Sequence, residues 1–338
     1  MRPSAALETS DQERDRFAAD VRHGLSRTPR RIPARYFYDE LGSALFEAIT
    51  RLPWYGITRS EQRLLRSRGR EILDRVAPLS RLIELGPGSG EKLATLLSGR
   101  REDAAHRPRA ASEPQRTLDV HLVDVSTAAL DDATETLATL PALRVVTHRA
   151  EFDRGLADIG RAEHGLGRTL ALFLGSNIGN FDPKQADAML RSIRAALADG
   201  DALLLGTDLV KPENELVLAY DDPLGVTAAF NRNLLVRMNR ELGADFDVGA
   251  FAHRAVWNAG ESRVEMHLVS ERRQRVRVRA AGLSIDLEAG ETLWTESSHK
   301  YDADGVRAML ARAGFHARDQ WKEGTFALTL AMAGRETA

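Results

Sequence analysis

The chain has 338 residues, 43% hydrophobic and 28% charged, with 47 basic side chains against 49 acidic ones for a formal net charge of -2. That length exceeds what one hydrophobic core usually holds, so two domains or a core with a large insertion are expected, and the charge balance gives no electrostatic reason for nucleic acid as a partner. Cysteine is absent, which excludes disulfides, thiolate metal sites and cysteine nucleophiles; the N-terminal stretch MRPSAALETSDQERDRF lacks the apolar core of a secretory signal and no apolar run approaches the roughly 18 residues of a membrane span, so a soluble, cytoplasmic protein with a small-molecule partner is expected, with neither membrane nor obligate protein partner.

The first 60 residues precede any strand of a main layer. Short apolar runs then follow at Arg81 to Leu85, Leu118 to Val123, Leu143 to Thr147, Thr169 to Leu174 and Ala202 to Thr207, separated by helix-length segments. This is the pattern of parallel strands joined by crossover helices, so the fold class is α/β. Between the first two runs, Arg100 to Arg116 alternates Arg, Ala, Glu, Pro and Ser without apolar period and reads as a solvated loop. After Thr207 the pattern changes. Phe230, Leu234, Met238 and Leu242 recur every four residues on one helical face, and from His253 to Leu287 the period falls to two, which reads as an antiparallel meander. A helix at Asp304 to Ala313 and an apolar run at Phe326 to Ala331 resume the first layer. Residues 63–207, completed by 300–338, are therefore expected to form the core, and 15–62 together with 208–299 an inserted α+β cap.

The most informative segment is Leu82-Ile83-Glu84-Leu85-Gly86-Pro87-Gly88-Ser89-Gly90-Glu91-Lys92, an apolar strand running into a glycine-rich turn and a helix. Glycines allow positive φ and let a ligand approach the backbone, and the helix start offers unpaired N–H groups. A nucleotide-like ligand fits there. The G-x-G-x-G spacing and the acidic Glu84 two residues ahead lean toward S-adenosylmethionine over a nicotinamide cofactor, and the Gly-Lys-Ser/Thr of a phosphate loop is missing. Asp124, at the end of the next strand, can accept ribose hydroxyls, although it lies beyond the usual separation of about 20 residues. In Ala150-Glu151-Phe152-Asp153 an acid and an aromatic ring can contact adenine; a helix-terminal carboxylate is the plainer reading of either acid alone.

The fourth and fifth strand ends read Leu172-Phe173-Leu174-Gly175-Ser176-Asn177-Ile178-Gly179-Asn180-Phe181 and Leu203-Leu204-Leu205-Gly206-Thr207-Asp208-Leu209-Val210-Lys211. With Arg35-Tyr36-Phe37-Tyr38-Asp39, Ala219-Tyr220-Asp221-Asp222-Pro223, Phe230-Asn231-Arg232-Asn233 and Thr295-Glu296-Ser297-Ser298, the chain from about Pro29 onward resembles the histidine Nα-methyltransferases. The resemblance implies a Rossmann-like class I methyltransferase core and transfer of three methyl groups from S-adenosylmethionine to the α-amine of L-histidine. It implies cofactor contacts at Gly86, Lys92, Asp124, Glu151 and Phe152, to which the strand-end motifs add Glu84, Gly88 and Gly175; His299 has no second ligand at metal-site spacing, so no metal is expected. Asn180 and Tyr220 would hold the amino-acid head, Glu296 and Ser298 would read the imidazole beside Met266, and Tyr38 or Tyr220 would take part in proton loss. Two positions depart from the family pattern: Gly56 stands where a second substrate-contacting tyrosine is usual, and Glu151 replaces a commoner Asp.

Without that pattern, Glu296 reads as a solvated or capping acid, Tyr220 as an interface aromatic, Asn180 as a turn residue and Met266 as core. Three rivals follow from the residues: a methyltransferase of the same fold for another aromatic amino acid or amine, a nicotinamide-dependent oxidoreductase, and a non-catalytic binding protein.

Overall fold

A computed structural model describes residues 10–106, 117–160 and 167–334. The chain divides into two compact units, one of Met1–Trp54, Glu213–Gly260 and Val264–Ser297, the other of Tyr55–Pro212, Glu261–Arg263 and Ser298–Ala338.

The larger unit is built on a seven-stranded sheet: β1 (Leu79–Leu85), β2 (Leu118–Asp124), β3 (Leu143–Arg149), β4 (Arg168–Phe173), β5 (Ala202–Asp208), β6 (Phe315–Glu323) and β7 (Phe326–Ala333). Their order across the sheet is β6-β7-β5-β4-β1-β2-β3. Strands β1 to β5 run parallel, while β7 is antiparallel to both β5 and β6. Every residue of β5 and of β7 is buried, as expected of strands covered on both faces, where alternation gives way to near-continuous apolar runs, here of Leu and Ala. On one face Ile83, Leu85, Phe173, Leu203 and Leu205 pack with Leu156, Met189, Leu190, Ile193, Val306 and Leu310 from three helices. Each such side chain contributes about 1.5–3 kcal/mol of burial. The helix Gly56–Arg75 contacts β6, β7 and the helix Glu91–His106.

Because β2 and β4 leave β1 on opposite sides, β1 is the point at which strand order reverses, and ligands of open α/β sheets bind at the carboxyl ends of the strands there. Asp182 and Gln185 form a capping box that starts the helix Pro183–Ala196 just beyond that edge.

In the smaller unit the strands Arg30–Arg31, Thr292–His299, Arg263–Ser270 and Phe251–Asn258 form one sheet in that order. The helix Val226–Leu242 buries the expected stripe of Phe230, Leu234, Met238 and Leu242. The stripe's partners come from the N-terminal residues: Phe37 stacks on Phe230 with centroids 4.5 Å apart, and Asn233 Nδ2 donates to Asp39 Oδ1 at 2.8 Å.

Three expectations need correction. The helix Glu91–His106 continues into the polar stretch read as a loop, since its Arg, Glu and Ala are good helix formers even without an apolar stripe; the rest of that stretch, 107–116, lies outside the described residues. The meander splits, because Gln274–Val278 and Leu283–Leu287 pair with each other in a separate two-stranded antiparallel sheet, to which Ala244 adds an isolated bridge at Val278. Strand β6 was not expected at all. Its sequence FHARDQWKE is polar because it is an edge strand, mostly half-exposed, and carries no apolar run to read.

Candidate active site

The turn after β1 is shaped by left-handed residues. Gly86 has φ +72° and its N–H donates to Val123 O at 2.9 Å, tying the turn to β2. A Cβ at Gly86 would lie 2.8 Å from Asn177 Nδ2 and 3.5 Å from the Phe152 ring, so only glycine fits. At Gly88, also left-handed at +55°, a Cβ would meet nothing within 4 Å among the described residues. One glycine thus closes the turn against its neighbours and the other faces open space where a ligand can reach the backbone.

Beneath the turn sits a group of ionisable side chains, of which Glu61 and Glu84 are buried. Glu61, fully buried on the helix Gly56–Arg75, pairs with Lys92 Nζ at 2.7 Å and accepts the N–H of Gly175 at 2.8 and 3.0 Å on its two oxygens. Gly206 on β5 makes room for that carboxylate, which any side chain there would strike. Glu84 is 1% exposed, and among the described residues neither of its oxygens has a hydrogen-bond partner. Burial pushes its pKa up to about 8, with Lys92 pulling the other way. A buried carboxyl without partners is costly, and a cationic, hydrogen-donating ligand group would relieve that cost. The amino-acid end of S-adenosylmethionine is such a group, so the residues fit this cofactor.

Asp124 closes β2. Burial raises its pKa to about 6, partly offset by the backbone N–H groups of Ser126 and Val125, the former donating to Oδ1 at 2.9 Å. The Ala150 N–H donates to Asp124 O at 3.0 Å and so brings the end of β3 alongside. Glu151 occupies the N-cap position of the helix Phe152–Ile159 without its side chain capping it, and Phe152 meets Phe173 edge-on at 5.6 Å. Gly175, left-handed at φ +72°, lies against Lys92 Nζ. Glu84, Gly86, Gly88, Lys92, Asp124, Glu151, Phe152 and Gly175 therefore gather along one edge of the sheet.

The residues expected to hold substrate divide between the units. In the larger unit Asn180 is the exposed last residue of the 3-10 turn Asn177–Asn180. Its neighbour Gly179 abuts the His299 backbone, where a Cβ would stand 2.7 Å from the carbonyl oxygen, and Ser298 beside it is 4% exposed. Gly56 begins the helix Gly56–Arg75, and an added Cβ would meet no described atom within 4 Å. In the smaller unit Tyr38 lies edge-on to Phe46 at 5.7 Å and Phe230 at 6.0 Å. Tyr220, buried, ends the helix Glu213–Tyr220, and its carbonyl accepts from His253 Nε2 at 2.8 Å while Asn231 Nδ2 donates to His253 Nδ1 at 2.8 Å. The bond from Asn231 requires the neutral ring with its proton on Nε2, and burial lowers the His253 pKa in the same sense. Buried Met266 accepts from Thr295 Oγ1 through its carbonyl at 3.0 Å. Glu296, half-buried, is two residues from Ser298 on the strand Thr292–His299, so the two side chains share a face.

Sequence reasoning missed Glu61, although an acid in line with Ile57, Leu64, Leu65 and Ile72 on an apolar helix stripe was a readable anomaly. It also missed Lys300, which pairs with Asp208. Among the described residues, no group of three or more His, Cys, Asp or Glu stands placed to hold a metal ion, and no helix is long and apolar enough to cross a membrane.

A sheet of this order with β7 reversed, a glycine turn after β1 and carboxylates closing β1 and β2 define a class I S-adenosylmethionine-dependent methyltransferase. Within that class, residues 17–333 match the family described as histidine-specific, S-adenosylmethionine-dependent methyltransferases, and the chain belongs to it. It is 42% identical over 314 residues to the histidine N-alpha-methyltransferase of Mycobacterium tuberculosis, covering 92% of this chain and 93% of that one. The enzyme of that name from Mycolicibacterium smegmatis is 42% identical over 325 residues, 96% and 97% of the two chains. Ergothioneine biosynthesis protein 1 of Neurospora crassa is 29% identical over 218 residues, 64% of this chain and 23% of that much longer one.

Proposed function

We propose that the protein trimethylates the α-amine of L-histidine to hercynine in the cytoplasm, as a step toward ergothioneine, with residues 15–62 and 208–299 serving as the substrate-binding cap. The observation that carries the choice of histidine is the pairing of Glu296 and Ser298 on one face of a strand adjacent to that of Met266. An imidazole offers one N–H and one acceptor nitrogen, which a carboxylate and a hydroxyl match.

Bound S-adenosylmethionine supplies a methyl group on a positively charged sulfur. Gly86, Gly88 and Gly175 would let the backbone approach it, Glu84 and Lys92 would meet its amino-acid end, Asp124 would accept from the ribose, and Glu151 with Phe152 would hold the adenine. Asn180 and Tyr220 fix the amino-acid head so that the amine lone pair lines up with the carbon–sulfur bond, and positioning of this kind is the main catalytic demand of an in-line displacement. Transfer would form the nitrogen–carbon bond as the carbon–sulfur bond breaks, the electron pair staying on sulfur. The amine must be neutral before each transfer, so three protons leave in all, to water or through hydrogen bonds with Tyr38 and Tyr220; no strong base is required. Gly56 leaves open space where the family commonly has a tyrosine, and this specific feature motivates the second reading, a related aromatic amino acid as substrate.

The test is regiochemical. After incubation with S-adenosylmethionine and L-histidine, proton NMR of the product is expected to show methyl groups on the α-nitrogen alone. Methylation of a ring nitrogen, or no turnover, would refute the proposal.

A further inference from the structure

In the smaller unit one histidine joins two helices to the sheet. The His253 side chain, on the strand Phe251–Asn258, is 2% exposed. Its Nε2 lies 2.8 Å from the carbonyl oxygen of Tyr220, the last residue of the helix Glu213–Tyr220, and its Nδ1 lies 2.8 Å from Asn231 Nδ2 on the helix Val226–Leu242. Asn231 is fully buried, and its Nδ2 also donates to His267 O at 3.2 Å on the neighbouring strand Arg263–Ser270.

The two carbonyls at the ends of this chain fix the direction of every bond in it. A carbonyl only accepts, so His267 O orients the Asn231 amide with its nitrogen inward, and Tyr220 O requires a proton on His253 Nε2. Asn231 therefore spends one N–H on His267 O and the other on His253 Nδ1, which must keep its lone pair. No link can be reversed without setting two donors or two acceptors face to face. The cost of this arrangement is visible: Asn231 Oδ1 is buried without a hydrogen-bond partner among the described residues. An amide that leaves its oxygen unsatisfied is a poor space-filler, so its value lies in the two donors it directs.

The end of a helix carries carbonyls with no partner inside the helix, and His253 supplies one for Tyr220. On the far side of Tyr220 the Asp222 carboxylate accepts from the N–H groups of Leu224, Val226 and Thr227 at 3.0, 3.2 and 2.7 Å, so the chain between the two helices is tied at both ends. We propose that His253, kept in its Nε2–H form by Asn231, is a positioning residue for methyl transfer, clamping the helix end that carries Tyr220 and so setting where that side chain meets the amino-acid head of the substrate. This rests on the assignment of Tyr220 to the substrate made above. The charged groups that act on the ring are Asp221, whose Oδ1 is 3.9 Å from Nε2, Asp222 and Arg232, with the ring of His267 beyond. Burial, the largest influence, lowers the His253 pKa together with Arg232, while the Tyr220 carbonyl, Asp221 and Asp222 act against it.

Two measurements on the full-length protein test the inference. Nitrogen NMR of the ring in the unliganded wild type at pH 7.5 is expected to show His253 neutral and protonated at Nε2; the Nδ1–H form or the imidazolium would contradict the chain of donors. The second is a kinetic cycle of His253→Leu, Tyr220→Phe and the double variant, with KM for histidine, kcat and S-adenosylhomocysteine affinity measured for each. His253→Leu is expected to raise KM by about three- to tenfold, as Tyr220→Phe does, with cofactor affinity unchanged and the double variant no worse than the worse single. His253→Gln, whose amide retains a donor for the Tyr220 carbonyl, is expected to recover most of that loss. Losses that add in the double variant, or no recovery in His253→Gln, would overturn the inference. So would a His253→Leu variant that fails to fold or loses cofactor affinity, since the ring would then serve the frame of the protein. If Tyr220→Phe alone leaves KM unchanged, the assignment of Tyr220 falls, and with it the route by which His253 acts.

Discussion

Beneath the glycine turn Glu61 pairs with Lys92 while the neighbouring carboxyl of Glu84 has no hydrogen-bond partner among the described residues, whereas at the end of β5 Lys211 and Lys300 both pair with the carboxylate of Asp208. Both clusters lie in the same unit, yet one leaves a buried acid without a hydrogen-bond partner and the other gathers two cations on one buried acid. The first stands where a cationic cofactor is expected and the second beside Ser298, expected to read the imidazole. Such local charge arrangements are not disclosed by a net charge of -2 spread over 338 residues.

The sharpest break between substrate and cofactor chemistry should come at Glu296. Glu296→Ala is expected to lower kcat/KM for histidine relative to tryptophan, tyrosine and phenylalanine by up to about 10⁴-fold, because the preference rests on a half-buried acceptor for the ring N–H. Equal losses on all four amino acids would mean that Glu296 does not read the imidazole.

Glu84 probes the acidic cluster. Its carboxyl titrates at about 8 in the folded chain against an ordinary 4.5, so the folded state holds more protons than the unfolded state across that interval. The stability that Glu84 contributes therefore falls as pH rises from 4.5 through 8. Unliganded Glu84→Gln should be more resistant to denaturant than wild type at pH 9, by on the order of a few kcal/mol, with the gap closing toward pH 5. A gap independent of pH would show that Glu84 is not held protonated by burial.

Asp124→Ala should weaken S-adenosylhomocysteine binding at least tenfold in calorimetry, since charge-assisted hydrogen bonds contribute about 1.5–3 kcal/mol each. Unchanged binding would remove Asp124 from the cofactor site. The smallest effects are expected at the amino-acid head. Asn180→Ala and Tyr220→Phe should raise KM for histidine about three- to tenfold and leave S-adenosylhomocysteine affinity alone; the reverse pattern would place them on the wrong ligand.

The two clusters also show why some of the molecule was legible in its sequence. Cofactor-side features carry a backbone signature: Gly86 and Gly88 adopt conformations that other residues rarely take, and Glu84 and Asp124 end apolar runs that can be read directly. Glu61 is hidden because an acid on a helix ordinarily faces water, and its partners Lys92 and Gly175 lie in other elements. Asp208 and Lys211 stand together in one strand-end motif, but Lys300 joins them only through the fold. Glu296, Ser298 and Met266 occupy unremarkable strand positions, so family resemblance alone singled them out.

The most direct test of the whole account is a competition. The protein is incubated with S-adenosylmethionine and all twenty proteinogenic amino acids at equal concentration, and the mixture is followed by mass analysis. The account predicts that methyl groups accumulate on histidine, passing through mono- and dimethyl species to the trimethyl product, while the other amino acids remain unmodified. Methylation of another amino acid with histidine untouched would contradict it, and would mean that the open space at Gly56 belongs to a different side chain.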